Sequence, residues 1–149
     1  NPMRRASEKP YVTGLSQFGI RNVSSTAKEG YDDARERGSD ILSVRQIRSL
    51  GVQAVADRIP TEADIYLTID IDGFDPSIAP GTGTPSHGGF MYYEVLDMVA
   101  IVAQRQRIVG IDLVEVAPDY DHSGSTTTLA AQLLLNIIGR ILYARKSIV

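Results

Sequence analysis

The most constraining feature of the sequence is an apolar segment that runs into two aspartates and then into a loop rich in glycine and proline. Residues 65–69 read Ile-Tyr-Leu-Thr-Ile, and Asp70 and Asp72 follow at once. Because residues i and i+2 of a strand lie on one face, we expect both carboxylates to project together from the end of a buried strand. Two adjacent like charges are costly unless a cation lies between them, and hard divalent cations prefer oxygen ligands. The pattern therefore predicts a metal-binding strand end.

Segments with strand character alternate with segments with helix character along the chain. The predicted strands are 15–20, 40–44, 65–71 and 108–116, and the predicted helices are 4–9, 24 or 25 to 37, 46–59, 92–104 and 125–145. This alternation is typical of a parallel sheet with helices on both faces, in which ligands bind beyond the carboxyl ends of the strands. The continuous apolar segment 108–116 further predicts a strand covered on both faces. We therefore expect an α/β fold in three α/β/α layers around a central parallel sheet.

Composition and charge exclude several classes of function. The 149 residues carry 15 Lys and Arg against 18 Asp and Glu, a net charge of -3, so no basic surface for nucleic acid is expected. Cysteine is absent, which excludes a disulfide framework and a thiolate metal site. Arg140 interrupts the apolar stretch 133–142, so we predict no membrane-spanning segment. With no secretory signal pattern, the expected location is the cytoplasm.

The start of the chain and its small number of histidines predict that this chain carries only part of a metal site. The chain starts at Asn1 without an initiator methionine, and its only histidines are His87 and His122. A dinuclear metal site needs more ligands than two aspartates and one histidine supply. We therefore expect an upstream segment of the same domain to carry the remaining ligands.

The segment 68–89 is similar to a signature of the ureohydrolases, the arginase and agmatinase family. It reads Thr-Ile-Asp-Ile-Asp-Gly-Phe-Asp-Pro-Ser-Ile-Ala-Pro-Gly-Thr-Gly-Thr-Pro-Ser-His-Gly-Gly. Three further segments resemble the same family: Phe-Gly-Ile-Arg at 18–21, Gly-Ile-Asp-Leu-Val-Glu-Val-Ala-Pro at 110–118 and Tyr-Asp-His-Ser-Gly at 120–124. The resemblance implies an arginase-like fold, of which residues 1–149 would form the C-terminal part of a single catalytic domain.

The resemblance also implies an activity, namely manganese-dependent hydrolysis of a linear guanidino compound such as agmatine to urea and an amine. Asp70 matches a carboxylate that bridges two Mn2+ ions, and Asp72 matches a ligand of one of them. A metal-bridging hydroxide would attack the guanidinium carbon. Glu115 matches the acid that pairs with the substrate guanidinium, and His87 is a second substrate-pocket candidate, beside its interpretation as a surface histidine. No catalytic residue is assigned within this chain, because the family's catalytic histidine precedes residue 1.

The same resemblance bears on substrate and partners. Residues 21–24, Arg-Asn-Val-Ser, lack the acid with which arginases hold the amino-acid end of arginine, so an agmatinase-type substrate is favoured. Guanidinobutyrate and guanidinopropionate remain open as substrates. The expected partners are the N-terminal segment of the domain and further copies of the protein, in a trimer or a hexamer.

Two alternative functions stay open: a truncated or non-catalytic ureohydrolase-like subunit, and a different metal-dependent hydrolase. Among the other acids, Asp75 before Pro76 is predicted to shape a turn, because Asp-Pro favours turn initiation. Asp112 is predicted to pair with an arginine. His122 is not predicted to be a metal ligand.

Overall fold

The computed structural model describes residues 2–21 and 27–146 and has the α/β alternation that the sequence predicts. Its strands are β1 (Leu15–Phe18), β2 (Ser39–Leu42), β3 (Ile65–Asp70) and β4 (Ile108–Val114). Its helices are α1 (Pro2–Ser7), α2 (Lys28–Glu36), α3 (Val44–Leu50), α4 (Val52–Ala56), α5 (Tyr92–Arg105) and α6 (Ser125–Lys146), with short 3-10 helices at Ile71–Gly73 and Pro118–Tyr120. The α/β fold class is therefore confirmed.

The strands pair in parallel, as expected, but within the described ranges they form two separate pairs and not one continuous sheet. β1 pairs with β2, and β3 pairs with β4. In the second pair Thr68 lies opposite Asp112, and Asp70 lies opposite Val114. Both strands of that pair therefore end at the same edge, where ligands bind in parallel sheets.

Local signals explain where the elements differ from the predicted bounds. The predicted helix 46–59 is two helices, because Gly51 has a φ of 83°, a left-handed conformation that suits glycine and separates α3 from α4. Val44 begins α3 and not the end of a strand, because Ser43 and Gln46 form a reciprocal capping box. The predicted cap of α2 at Ser24 or Ser25 lies outside the described residues.

The hydrophobic core includes residues of β3, β4, α5 and α6 and extends to β2, α3 and α4. Ile71, Phe74, Leu133 and Ile137 are its most completely buried large side chains. Burial of each such side chain contributes about 1.5–3 kcal/mol. This packing anchors the end of β3, since Ile71 and Phe74 directly follow it.

The opposite face of the β3–β4 pair is open. Tyr66 is 63% exposed and Val114 is 41% exposed, and both lie on this face. The prediction that the strand 108–116 is covered on both faces is therefore wrong for the described chain. This open face is mixed in character, since Asp112 of β4 lies on it beside Val114.

α6 is long and apolar enough over Ser125–Arg145 to cross a membrane, judged by length and composition only. On that criterion the prediction that Arg140 leaves no such segment is wrong. The core helix of a soluble protein passes the same test. α6 behaves in part like such a helix, because Leu133 and Ile137 are fully buried while Leu135 is 73% exposed.

Candidate functional site

The two aspartates singled out in the sequence lie at the carboxyl end of β3, joined by a tight turn. Asp70 caps the short 3-10 helix, and its Oδ1 accepts a hydrogen bond of 3.0 Å from the Asp72 backbone N–H. The Asp72 Oδ2 accepts a hydrogen bond of 2.8 Å from the Thr84 hydroxyl. Asp72 thus belongs to the turn and not to the strand, so the expected strand geometry of the pair is wrong. The Asp70 carboxylate is instead tied to the backbone of Asp72, two residues along the chain.

The surroundings of Asp70 disfavour its ionised form. The side chain is accessible to solvent, yet the surrounding protein raises the pKa of Asp70 by desolvation, and the negative charges of Asp72 and Glu115 raise it further. The Asp72 N–H bond and the positive charge of Arg21 act in the opposite direction. A cation at this edge would relieve the net penalty, and clustered carboxylate oxygens are the donors that hard divalent cations take.

The donor set of this chain is only part of a metal site. Within residues 2–21 and 27–146 no three His, Cys, Asp or Glu side chains converge in a way that could hold a metal ion. Asp70 and Asp72 therefore fit a divalent cation in chemistry but supply too few ligands.

Glu115 follows the end of the neighbouring strand, next to the residue that lies opposite Asp70. Its φ of 66° makes it the one non-glycine residue with positive φ in the described chain. Such a conformation costs about 1–3 kcal/mol, and strained backbone of this kind clusters at functional sites. The side chain is exposed, and its negative charge raises the pKa of Asp70, as its place one residue beyond the partner of Asp70 in the strand register leads one to expect. The predicted strand 108–116 ends at Val114 because of this turn.

The loop that follows the two aspartates is closed at its base. Residues Phe74 and Phe90 form a parallel bridge, and the Asp75 N–H donates to the Phe90 carbonyl at 3.0 Å. Gly89 is required there, because a Cβ at that position would lie 2.3 Å from the Phe74 carbonyl carbon. The backbone on both sides of the loop is therefore in direct contact.

Asp75 is a structural acid, as its place before a proline predicts. Its Oδ1 accepts from the Ser77 N–H at 3.1 Å, and its Oδ2 accepts from the Gly88 N–H at 2.9 Å. Hydrogen bonds from Ser77, followed by those from Gly88 and Gly89, lower the pKa of Asp75 to about 2. The carboxylate thus ties the start of the loop to its end.

The middle of the loop is fastened to the start of α6 by residues that the sequence analysis missed. The Gly81 N–H donates to the hydroxyl of the fully buried Thr126 at 2.7 Å. The Thr126 N–H in turn donates to Asp121 at 2.7 Å. The Ser123 hydroxyl, together with Thr126, holds the pKa of Asp121 well below its usual range. No capping rule pointed to this pair, because an N-cap side chain binds the N–H two or three residues on, whereas Asp121 and Thr126 are five residues apart.

Arg21 is a further residue whose role the sequence analysis did not identify. Its Nε donates to the Ser86 carbonyl at 3.1 Å and its Nη1 donates to the Gly19 carbonyl at 3.2 Å. Its Nη2 donates to the carbonyl of Asp72. The available signal was the placement of an arginine directly after a predicted strand end.

The other candidate residues have different surroundings. His87 and His122 are both exposed, in the loop and before α6 respectively. Asp112 accepts hydrogen bonds from the Tyr66 hydroxyl at 3.0 Å and the Thr68 hydroxyl at 2.6 Å, so its predicted pairing with an arginine is wrong. The hydroxyls reach it because Thr68 lies directly opposite Asp112 in the strand register.

One groove of the described chain lies away from the two aspartates. It has a volume of about 480 Å³ and runs between the loop and the first turns of α5 and α6. Ile78, Met91 and Leu129 are among its lining residues, whereas Asp70, Asp72 and Glu115 are not. The groove therefore adds nothing to the candidate metal centre.

Comparison with known proteins places this geometry in a family. A model described as the arginase family matches residues 1–139. The chain is 35% identical to the proclavaminate amidinohydrolase of Streptomyces clavuligerus over 89% of its length, and the structure of that enzyme superposes with a TM-score of 0.78. It is 37% identical to the agmatinase of Bacillus subtilis over 92% of its length. The formimidoylglutamase structure from the same species has a TM-score of 0.80 at 29% identity over 95% of the chain.

These matches confirm the resemblance and the arginase-like fold. They also show that the chain spans less than half the length of these relatives: 43% of the amidinohydrolase and 46% of both the agmatinase and the formimidoylglutamase.

Proposed function

Because the chain belongs to the arginase family, we propose that it forms the C-terminal part of a manganese-dependent ureohydrolase. The reaction is hydrolysis of a carbon–nitrogen bond in a linear guanidino compound, which releases urea and an amine. The observation that carries the proposal is the Asp70 and Asp72 pair at the end of β3, with Glu115 close by at the end of β4. Agmatine is the first substrate to test, since the chain is similar to a protein named agmatinase.

Asp70 and Asp72 are the residues of this chain that would hold the metal, two Mn2+ ions in a complete site. Bound divalent cations would supply a hydroxide nucleophile at neutral pH by lowering the pKa of water. The fit rests on the donor chemistry, because both groups offer carboxylate oxygen and the pKa of Asp70 is raised by its surroundings. The remaining ligands would come from an earlier segment of the same domain.

Glu115 is proposed to bind and orient the substrate. A planar guanidinium donates paired N–H groups to a carboxylate, which fixes both the distance and the plane of the bound group. The Glu115 side chain is exposed beside Asp70 and, in the described chain, accepts no hydrogen bond that would compete with a substrate. Its backbone is held next to Ala117, whose N–H donates to the Gly81 carbonyl at 2.8 Å.

The absence of an acid from residues 22–24 supports a substrate without an amino-acid end. An arginine substrate would bring an α-amino group that calls for a carboxylate partner. Agmatine, guanidinobutyrate and guanidinopropionate do not carry that group. We therefore propose that the protein prefers these compounds to arginine.

The test is urea release by the full-length protein after loading with Mn2+, with agmatine, guanidinobutyrate, guanidinopropionate and arginine as substrates. Intact mass and metal content are measured on the same sample. We expect two manganese ions per active site and a higher kcat/KM for agmatine than for arginine. Bound manganese with no urea from any of the four compounds would instead support a non-catalytic subunit.

A further inference from the structure

Arg21 connects three separate parts of the chain through backbone carbonyls. One carbonyl belongs to Gly19 after β1, one to Ser86 in the loop, and one to Asp72 in the turn after β3. The two strand pairs share no ladder hydrogen bonds in the described part of the chain. Arg21 is therefore a direct link between the first pair and the candidate metal centre.

The backbone just before Arg21 lies close to the loop, which allows the Arg21 side chain to contact it. Gly19 has a φ of 85°, and its N–H donates to the Leu42 carbonyl of β2 at 2.8 Å. A Cβ at Gly19 would lie 2.5 Å from the ring of Phe90, at the base of the loop. The chain thus turns tightly against the loop before Arg21 reaches across it.

We infer that Arg21 is a positioning residue that holds the Asp72 turn and the Ser86 loop segment in the geometry for metal binding. This inference rests on the proposed function, since it concerns a ligand of the proposed metal site. Asp72 is then held twice: its carbonyl accepts from Arg21, and its carboxylate accepts from the Thr84 hydroxyl in the same loop. Release of Arg21 would loosen both contacts together.

The chemistry of arginine suits this role better than that of lysine. A guanidinium presents donors in a rigid planar fork, whereas an ammonium is a compact charge on a flexible stem. The carbonyls of Gly19, Asp72 and Ser86 each accept from a different nitrogen of the Arg21 guanidinium, which a single ammonium nitrogen would not reproduce.

Arg48 provides a matched control in the same chain. It also spans from the first half of the chain to the loop, with its Nη2 donating to the Gly89 carbonyl at 3.0 Å. Its other hydrogen bonds, of 2.7 and 2.9 Å, go to Glu94 and not to Asp72. Removal of Arg48 should therefore loosen the loop without touching the proposed ligand.

The experiment compares manganese binding by the full-length wild type, Arg21→Ala, Arg21→Lys and Arg48→Ala, with free Mn2+ followed by its EPR signal. Losing a group that orients a ligand typically weakens metal affinity by about 10–100-fold, and we expect Arg21→Ala to fall in that range. Arg21→Lys should recover part of the loss. Arg48→Ala should lower the thermal midpoint but keep the wild-type Kd. Excess Mn2+ should restore kcat in Arg21→Ala without changing KM.

Wild-type Kd in Arg21→Ala, or an equal loss in Arg48→Ala, would overturn the inference, because the role of Arg21 would then be structural only. A wild type that binds manganese but releases no urea would contradict the proposed function alone, and the four binding constants would still decide the role of Arg21. A wild type that binds no divalent cation would overturn both.

Discussion

The ends of β3 and β4 are neighbours at one edge of a sheet, but they present their acids in different ways. Asp70 has an ordinary extended backbone, and a hydrogen bond within the turn holds its carboxylate. Glu115 has a left-handed backbone, and in the described chain its carboxylate accepts no hydrogen bond. A cation needs oxygens in preset positions, whereas a substrate needs an acceptor that is free until it arrives. The difference therefore matches the two proposed roles.

The largest expected effect comes from the β3 end. Asp72→Asn in the full-length protein removes one anionic oxygen ligand. We expect manganese affinity and activity to fall by more than about 100-fold, the upper range for loss of a group that only orients a ligand. Metal content after dialysis and urea release are the measurements. Asp119→Asn, at an exposed acid of the 3-10 helix Pro118–Tyr120, is the control. If Asp72→Asn keeps its full manganese content, Asp72 is not a metal ligand, and the proposed division between a metal-binding end of β3 and a substrate-binding end of β4 fails.

The base of the loop after β3 tests how rigid that end must be. Gly89→Ala places a Cβ against backbone atoms of Phe74 and Asp75 that cannot move aside, so we expect a loss of about 3 kcal/mol in the free energy of unfolding. Gly83→Ala is the matched control, since a Cβ there meets nothing within 4 Å, and its effect should stay within about 0.5 kcal/mol. Denaturant unfolding measures both. Equal free energies of unfolding for the Gly89→Ala and Gly83→Ala variants would show that the backbone of the loop shifts to make room for the added Cβ.

The β4 end should affect substrate and spare the metal. Glu115→Gln removes a charged acceptor but keeps its length, and we expect kcat/KM to fall by roughly 30-fold, equivalent to about 2 kcal/mol for a hydrogen bond to a charged group. Manganese content should equal that of the wild type. Steady-state kinetics and metal analysis check the two halves of this expectation. Loss of metal in this variant would assign Glu115 to the same role as Asp72.

The strain at Glu115 gives a smaller effect that is separate from its charge. Glu115→Gly and Glu115→Ala both remove the carboxylate, but only glycine accepts a φ of 66° without a steric penalty. We expect the glycine variant to be more stable than the alanine variant by about 1 kcal/mol. Thermal unfolding of the two variants gives the difference. A more stable alanine variant would show that the backbone is not strained there.

The smallest effect concerns the Asp75 tie across the loop. Its pKa is lowered from 3.8 to about 2 in the folded chain, so its contribution to stability is complete above pH 4 and is lost as the pH falls toward 2. Asp75→Asn should therefore have a lower thermal midpoint than the wild type at pH 7, and the gap should narrow below pH 4. Thermal midpoints between pH 2 and pH 7 test this sign. A gap that stays constant with pH would contradict it.

Much of the fold and of the candidate site could be predicted because the signals are local in sequence. The alternation of elements, the strand before Asp70, the long loop and the helix from Ser125 each depend on periodicity, capping and turn residues within a few positions. The break at Gly51 was also visible as a glycine, but its φ depends on how α3 and α4 pack. The role of Asp75 followed from a single dipeptide.

What the sequence by itself determined was the class of fold, the family, and the two aspartates with the glutamate at the strand ends. Only the tertiary structure decided that Asp72 lies in a turn, that Asp112 is bound by two hydroxyls, and that Glu115 is left-handed. It also decided that Arg21 reaches the carbonyls of Asp72 and Ser86, which lie 51 and 65 positions away in the chain. The physical reason is that hydrogen bonds to backbone carbonyls do not depend on the identity of the accepting residue. Such contacts leave no pattern at the accepting positions and are set by packing alone.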